Sequence, residues 1–255
     1  MEGFLKFLGT GGARFVASSQ KRATGGLWLR HRDTNLYIDP GVGAMVRLST
    51  DKGMLDPSTL DGIILTHKHL DHANDVNVLI EAMTGGGRQK RGTLFCPEDA
   101  VTQDPVVLKY LHNFVERIEF LKEGGVYTIK DVTFSTPVRH SHPVETYGLI
   151  LHLPTNIGII ADTRFFEKLP DYYRTADCLI VHVLRTTPIE SHDTIEHLSF
   201  HDFRRIVEQL RPRMAVMTHF GTKIIDEGPD LLAAQLSRET GLNIVAAQDG
   251  MVLEF

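Results

Sequence analysis

Three imidazoles and a carboxylate fall within six residues in the run Thr66-His67-Lys68-His69-Leu70-Asp71-His72, directly after the apolar segment Ile63-Ile64-Leu65. Crowded together without a cation, such titratable groups are costly to hold. Around a divalent ion they make a coordination shell, because neutral imidazole and carboxylate are ligands that zinc, iron and manganese accept. His67 and His69 lie two residues apart, so in extended chain both side chains leave on the same side. Asp71 follows in the same phase, and His72 points elsewhere. That arrangement suits two neighbouring ions better than one. The alternative is a solvated histidine-rich loop, which would not require an apolar strand in front of it.

Two more segments end an apolar run in a candidate ligand. In Gly158-Ile-Ile-Ala161-Asp162 a carboxylate follows a strand directly, which is expensive unless something cationic meets it. A helix N-cap is the other reading of Asp162. In Ala215-Val-Met-Thr218-His219 an imidazole occupies the same place.

The His-x-His-x-Asp-His run after an apolar strand resembles the signature of the metallo-β-lactamase superfamily of hydrolases. The opening Leu8-Gly9-Thr10-Gly11 and the segment Glu196-His197-Leu198-Ser199 narrow the resemblance to its ribonuclease Z and cyclic phosphodiesterase (phosphonate-degradation) branch. The resemblance implies two divalent metal ions per chain. His67, His69, His142 and Asp162 would hold one, and Asp71, His72, Asp162 and His219 the other. In that branch the corresponding histidine lies six residues before a glycine that follows an aromatic, so the resemblance implies His142, six before Gly148 and preceding Tyr147, rather than His140. Zinc is the first choice of metal, and manganese and iron suit the same donors. His197 is expected near the leaving group as general acid or charge stabiliser, with Asp71 orienting an attacking water held between the ions. A helix-capping or solvated role is the alternative for His197, since His192 and His201 lie in the same stretch. His182 ends another apolar strand and is balanced between lining the site and a structural role. His31, His112 and His152 read as structural or exposed.

The implied function is a metal-dependent phosphodiesterase for a small or cyclic phosphodiester. A thioester or lactone hydrolase on the same metals is the runner-up. A tRNA 3′-processing endonuclease and a non-catalytic metal-bound binding protein are further alternatives. Long inserted arms grip tRNA in ribonuclease Z. Here His142 and Asp162 are only 20 residues apart, and Asp162 and His197 only 35. The net charge of −5 also lacks the basic footprint of a duplex nucleic-acid binder. Arg88, Lys90, Arg91, Arg164 and Arg185 are candidates to meet phosphate charge. The implied partners are a small-molecule substrate and a second copy of the chain, paired around Gly85–Arg91.

The elements that must position these residues alternate along all 255 residues, consistent with one hydrolase domain. Strands are expected at 4–8, 27–30, 35–39, 63–66, 93–96, 126–129, 132–136, 149–153, 157–161, 179–183 and 214–218. Helices are expected at 75–83, capped by Asp71 or Asn74, from Pro105 through Ile118, at 200–210 and at 230–240. Residues 244–247 and 251–255 are expected to close a hairpin through Asp249-Gly250. The fold class is α/β with mixed sheets. The resemblance sharpens this to a four-layer αββα sandwich whose second half mirrors the first. Two cysteines, Cys96 and Cys178, no leader-like start and no long apolar run point to a reducing cytoplasm.

Overall fold

The structure, a computed structural model, describes residues 2–51, 55–188 and 196–255. Its frame is two seven-stranded mixed sheets packed face to face. The first sheet contains β1 (Gly3–Phe7), β2 (Leu27–His31), β3 (Thr34–Ile38), β4 (Gly62–Ile64), β5 (Thr93–Cys96), β6 (Arg117–Phe120) and β14 (Val252–Glu254). Their spatial order is β14-β1-β2-β3-β4-β5-β6. The second contains β7 (Gly125–Ile129), β8 (Val132–Thr136), β9 (Leu149–His152), β10 (Ile157–Ile160), β11 (Cys178–His182), β12 (Met214–Thr218) and β13 (Ile244–Ala246). Its order is β13-β12-β11-β10-β9-β8-β7. Each sheet has one antiparallel half and one parallel half, so the second repeats the plan of the first.

Burial explains the layering. Strands β4, β10 and β11 are buried on both faces, which their unbroken apolar sequences already suggested. Between the sheets, Leu29, Ile38, Ile64 and Phe95 meet Phe134, Leu149, Ile159 and Ile180. On the outer face of the first sheet lie α2 (Ala44–Thr50) and α4 (Val76–Thr84), joined to it through Leu48, Leu79, Ile80 and Met83. On the outer face of the second lie α6 (Phe200–Leu210) and α8 (Pro229–Thr240), through Phe203, Ile206, Val207 and Leu236. The four layers are therefore helix, sheet, sheet, helix, as expected.

Three expectations need correction. The helix from Pro105 through Ile118 does not form. A short helix α5 precedes it at Asp99–Thr102, a 3₁₀ turn covers Lys109–Asn113, and Ile118 lies in β6, paired with β5. Val107, Leu111 and Val115 are buried as the spacing required, but a turn followed by a strand meets that demand too. The closing hairpin also does not form. β13 pairs with β12 in one sheet and β14 with β1 in the other. Asp249 at the crossing accepts bonds from the backbone N–H of Thr10 and Ala23 and from the Thr10 hydroxyl, so it ties together chain 239 residues apart. Finally, neither Asp71 nor Asn74 caps α4. A separate turn α3 (Leu70–Ala73) intervenes, Asp75 occupies the N-cap position, and its carboxylate accepts the Met45 N–H instead.

Phe134 tests the inter-sheet core. Fully buried, it packs its ring against Phe95 and Tyr127 at centroid distances of 5.0 and 5.1 Å. Phe134→Ala is expected to cost about 3–5 kcal/mol, read as a lower denaturant midpoint at unchanged slope.

Candidate metal centre

Parallel strands leave their carboxyl ends on one edge, and loops at that edge collect the candidate ligands. β4 runs into His67, His69, Asp71 and His72. In the second sheet the neighbours β10, β11 and β12 end in, or one or two residues before, Asp162, His182 and His219. His142 comes from the loop between β8 and β9. Apart from His142, each of these candidates lies in or within three residues of a strand or helix, which fixes its backbone before any ligand arrives.

Two groups of donor atoms result. His67, His69, His142 and Asp162 form one, and His72, Asp162, His182 and His219 the other, with the atoms of each group within 4.8 Å of one another. Asp71 Oδ2 joins the second group, 3.2 Å from His219 Nε2 and 3.5 Å from His72 Nε2. His72 Nε2 and His219 Nε2 stand 2.9 Å apart, and each is 3.4 Å from an Asp162 oxygen. Ligands held tetrahedrally at zinc distances are roughly 3.3 Å apart, so this spacing fits an ion among them. Asp162 belongs to both groups and is 1% exposed.

Partners beyond the donor atoms aim the rings. His72 Nδ1 is 2.9 Å from Asp39 Oδ2, and Thr66 donates to the same carboxylate from its N–H and its hydroxyl. His142 Nδ1 faces the Glu196 carbonyl at 2.9 Å, and His67 Nδ1 faces the Thr66 hydroxyl at 3.1 Å. The Ala13 N–H donates to Asp71 Oδ2 at 2.6 Å. Ala13, Asp39 and His219 all have positive φ, between 53° and 61°. Non-glycine residues adopt that conformation at a cost, and such strain gathers at functional sites. At Gly12 a Cβ would lie 2.2 Å from His219 Nδ1, so only glycine lets α1 (Ala13–Ser19) begin against this ring.

The electrostatics favour a cation. Burial holds His67 and His69 below the usual histidine pKa, and holds His142 and His182 down at about 4, so these rings are neutral and offer lone pairs. His67 Nε2 is buried without a hydrogen-bond partner. Burial works to raise Asp162, but His219, His197 and His72 together hold it well below the carboxylate range. Burial likewise opposes charge on His72, yet Asp71, Asp162 and Asp39 raise its pKa. An orphaned ring nitrogen, close nitrogen pairs and shared ionised carboxylates suit divalent metal ions.

The remaining candidates sort as follows. His140 is buried, its Nε2 2.9 Å from the Tyr173 hydroxyl, and lies in neither donor group. His197 Nε2 is 2.9 Å from Asp162 Oδ2, so it reaches the site. Arg91 does not: its guanidinium donates to the Ser58 and Leu60 carbonyls and pairs with Asp61. His192 lies outside the described residues. Asp39 escaped the sequence reading, although it too is an acid directly after an apolar strand, as Asp162 is.

A family model of the beta-lactamase superfamily domain matches residues 34–220, most of the chain and all the site residues outside the Gly9–Ala13 segment. The chain belongs to this superfamily. An uncharacterized protein of Methanocaldococcus jannaschii is 30% identical over 97% of this chain and 93% of its own length. Ribonuclease Z of Thermococcus kodakarensis is 30% identical over 44% of this chain and 31% of its own. Among solved structures, the metallo-β-lactamase fold protein YhfI of Bacillus subtilis has TM-score 0.81 at 19% identity, covering 99% of both chains. A diphosphatase of the PhnP family has TM-score 0.73 at 22% identity, covering 100% of this chain and 98% of that one. These likenesses bear out the family and the fold expected from the motifs, and make the chain a member of a hydrolase family whose fold usually binds divalent metals.

Two outcomes test the donor set. His67→Ala and His219→Ala should each lower bound metal, measured by inductively coupled plasma spectrometry, and Asp162→Ala should lower it more than either. Two ions per chain retained in Asp162→Ala would leave that residue only a structural role. Asp39→Ala, which frees the back of the His72 ring, should weaken metal binding by about 10–100-fold in competition with a chelator.

Proposed function

We propose that the chain is a dinuclear metal-dependent phosphodiesterase acting on a small or cyclic phosphodiester, with zinc the preferred metal. His67, His69, His142 and Asp162 hold one ion, and Asp71, His72, Asp162 and His219 the other. When bound, such a pair of ions activates water at neutral pH and neutralises charge on phosphoryl oxygens. The residues of the chain supply the rest. Ala13 N–H fixes Asp71, whose carboxylate can orient a nucleophilic water. Asp39 fixes His72. His197 is left to serve the substrate.

His197 carries the choice of a phosphodiester. Its Nε2 rests 2.9 Å from Asp162 Oδ2, and its ring stands 5.1 Å from that of His142 and 5.8 Å from that of His219. One ring thus spans both donor groups from a separate loop, where a departing oxygen would emerge. An alkoxide leaving phosphorus is a poor leaving group and gains from a proton; a thiolate leaving a thioester needs none. The PhnP-family neighbour, a diphosphatase, supports hydrolysis at phosphorus rather than at a carbonyl carbon. The short intervals between ligands, together with the net charge of −5, favour a small substrate over tRNA.

His197→Ala separates the readings. It should keep the metal and lower kcat on an alkyl phosphodiester by ~10²–10⁴-fold, the usual worth of general acid help. An activated aryl phosphodiester, whose phenolate leaves unaided, should suffer far less. Equal losses on both, or none on either, would make His197 a structural loop residue. Turnover confined to a thioester or lactone would move the function to carboxylic ester hydrolysis.

A further inference from the structure

The position of His182 is not accounted for by the seven ligands above. We infer that His182 is a further ligand of the second metal position, which thereby carries three imidazoles, as the first does. The inference rests on the reading of this cluster as a metal centre.

Topology makes the first argument. β11 lies between β10 and β12, and all three run parallel. The strand that delivers His182 is therefore flanked by those that deliver Asp162 and His219. His182 is the last residue of its strand, in register with Thr218, one residue before His219. Any side chain directed to the site from this strand end arrives between its two neighbours.

Geometry makes the second. His182 Nδ1 is 2.9 Å from Asp162 Oδ1, the oxygen that also stands 3.4 Å from His219 Nε2. Its ring centroid is 4.6 Å from that of His219 and 5.5 Å from that of His72. The other Asp162 oxygen, Oδ2, lies 2.9 Å from His197 Nε2, 3.4 Å from His72 Nε2 and 3.6 Å from His67 Nε2. His182 is 8% exposed, so water does not satisfy it freely. A buried imidazole beside a carboxylate shared by both groups is a donor type that a divalent ion accepts.

The two positions then differ in kind. The first offers four donors, His67, His69, His142 and Asp162. The second offers five, Asp71, His72, Asp162, His182 and His219. A fully surrounded ion is held as a structural one, whereas an ion with an open position can take substrate. The second position, with five donors against four, should therefore bind metal more tightly than the first.

Cadmium-113 NMR on protein with ¹⁵N-labelled histidine tests this without altering the chain. Couplings from three imidazole nitrogens to each of two bound ions are expected; three to one and two to the other would overturn the inference. No bound cadmium at all would instead sink the metal-centre reading. His182→Gln fills the space without an imidazole. It should lose one coupled nitrogen from the second ion and weaken cobalt binding at one position by at least ~10-fold, with a changed cobalt absorption spectrum. Weaker binding with an unchanged spectrum and coupling count would make His182 only a prop for Asp162, and the assignment would fall.

Discussion

An ionised carboxylate with almost no access to water must be surrounded by positive or donating groups, and Asp162 sets that condition for the whole centre. It is delivered at the end of β10, in the middle of the second sheet, and five histidines face its two oxygens. Those histidines come from both sheets, so the carboxylate draws the two halves of the sandwich to one edge. Hydrophobic contact holds the sheets together, but it is indifferent to small slips. The Asp162 contacts are directional and add what packing alone does not specify.

Support for this cluster is layered and rigid. Asp39 holds His72, Thr66 holds Asp39, and the Ala13 amide holds Asp71. Each support sits at a strand end or a helix start, and three residues of the assembly accept strained backbone to hold their place. A centre prepared this way needs little rearrangement on binding, which is how preorganised sites gain both affinity and rate.

The strand ends that carry the candidate ligands are legible because one local pattern, an apolar run followed by histidine or aspartate, encodes both burial and chemistry. Asp162 and His219 were found by that pattern, and Asp39 fits it equally well. It was missed because its value comes from His72, 33 residues on and reached only through the fold. The Pro105–Ile118 segment misled for a related reason: three- and four-residue spacing of apolar side chains is satisfied by a 3₁₀ turn running into a strand. The Asp249-Gly250 turn was a sound local signal, but turn chemistry says nothing about which sheet each flanking strand will join. His182 stayed undecided because a single strand carries no information about its neighbours.

That last turn bears on how the molecule is made. β1 cannot be flanked on both sides until β14 arrives, and the Gly9–Gly12 segment beside His219 is held by Asp249. During synthesis, then, β1 leaves the ribosome well before β14 and waits with one edge open for it. The second sheet, built from consecutive strands, can assemble ahead of it. Chain order thus gives the two matching halves unequal folding histories, and the exposed edge of β1 is where a nascent chain would most need a chaperone.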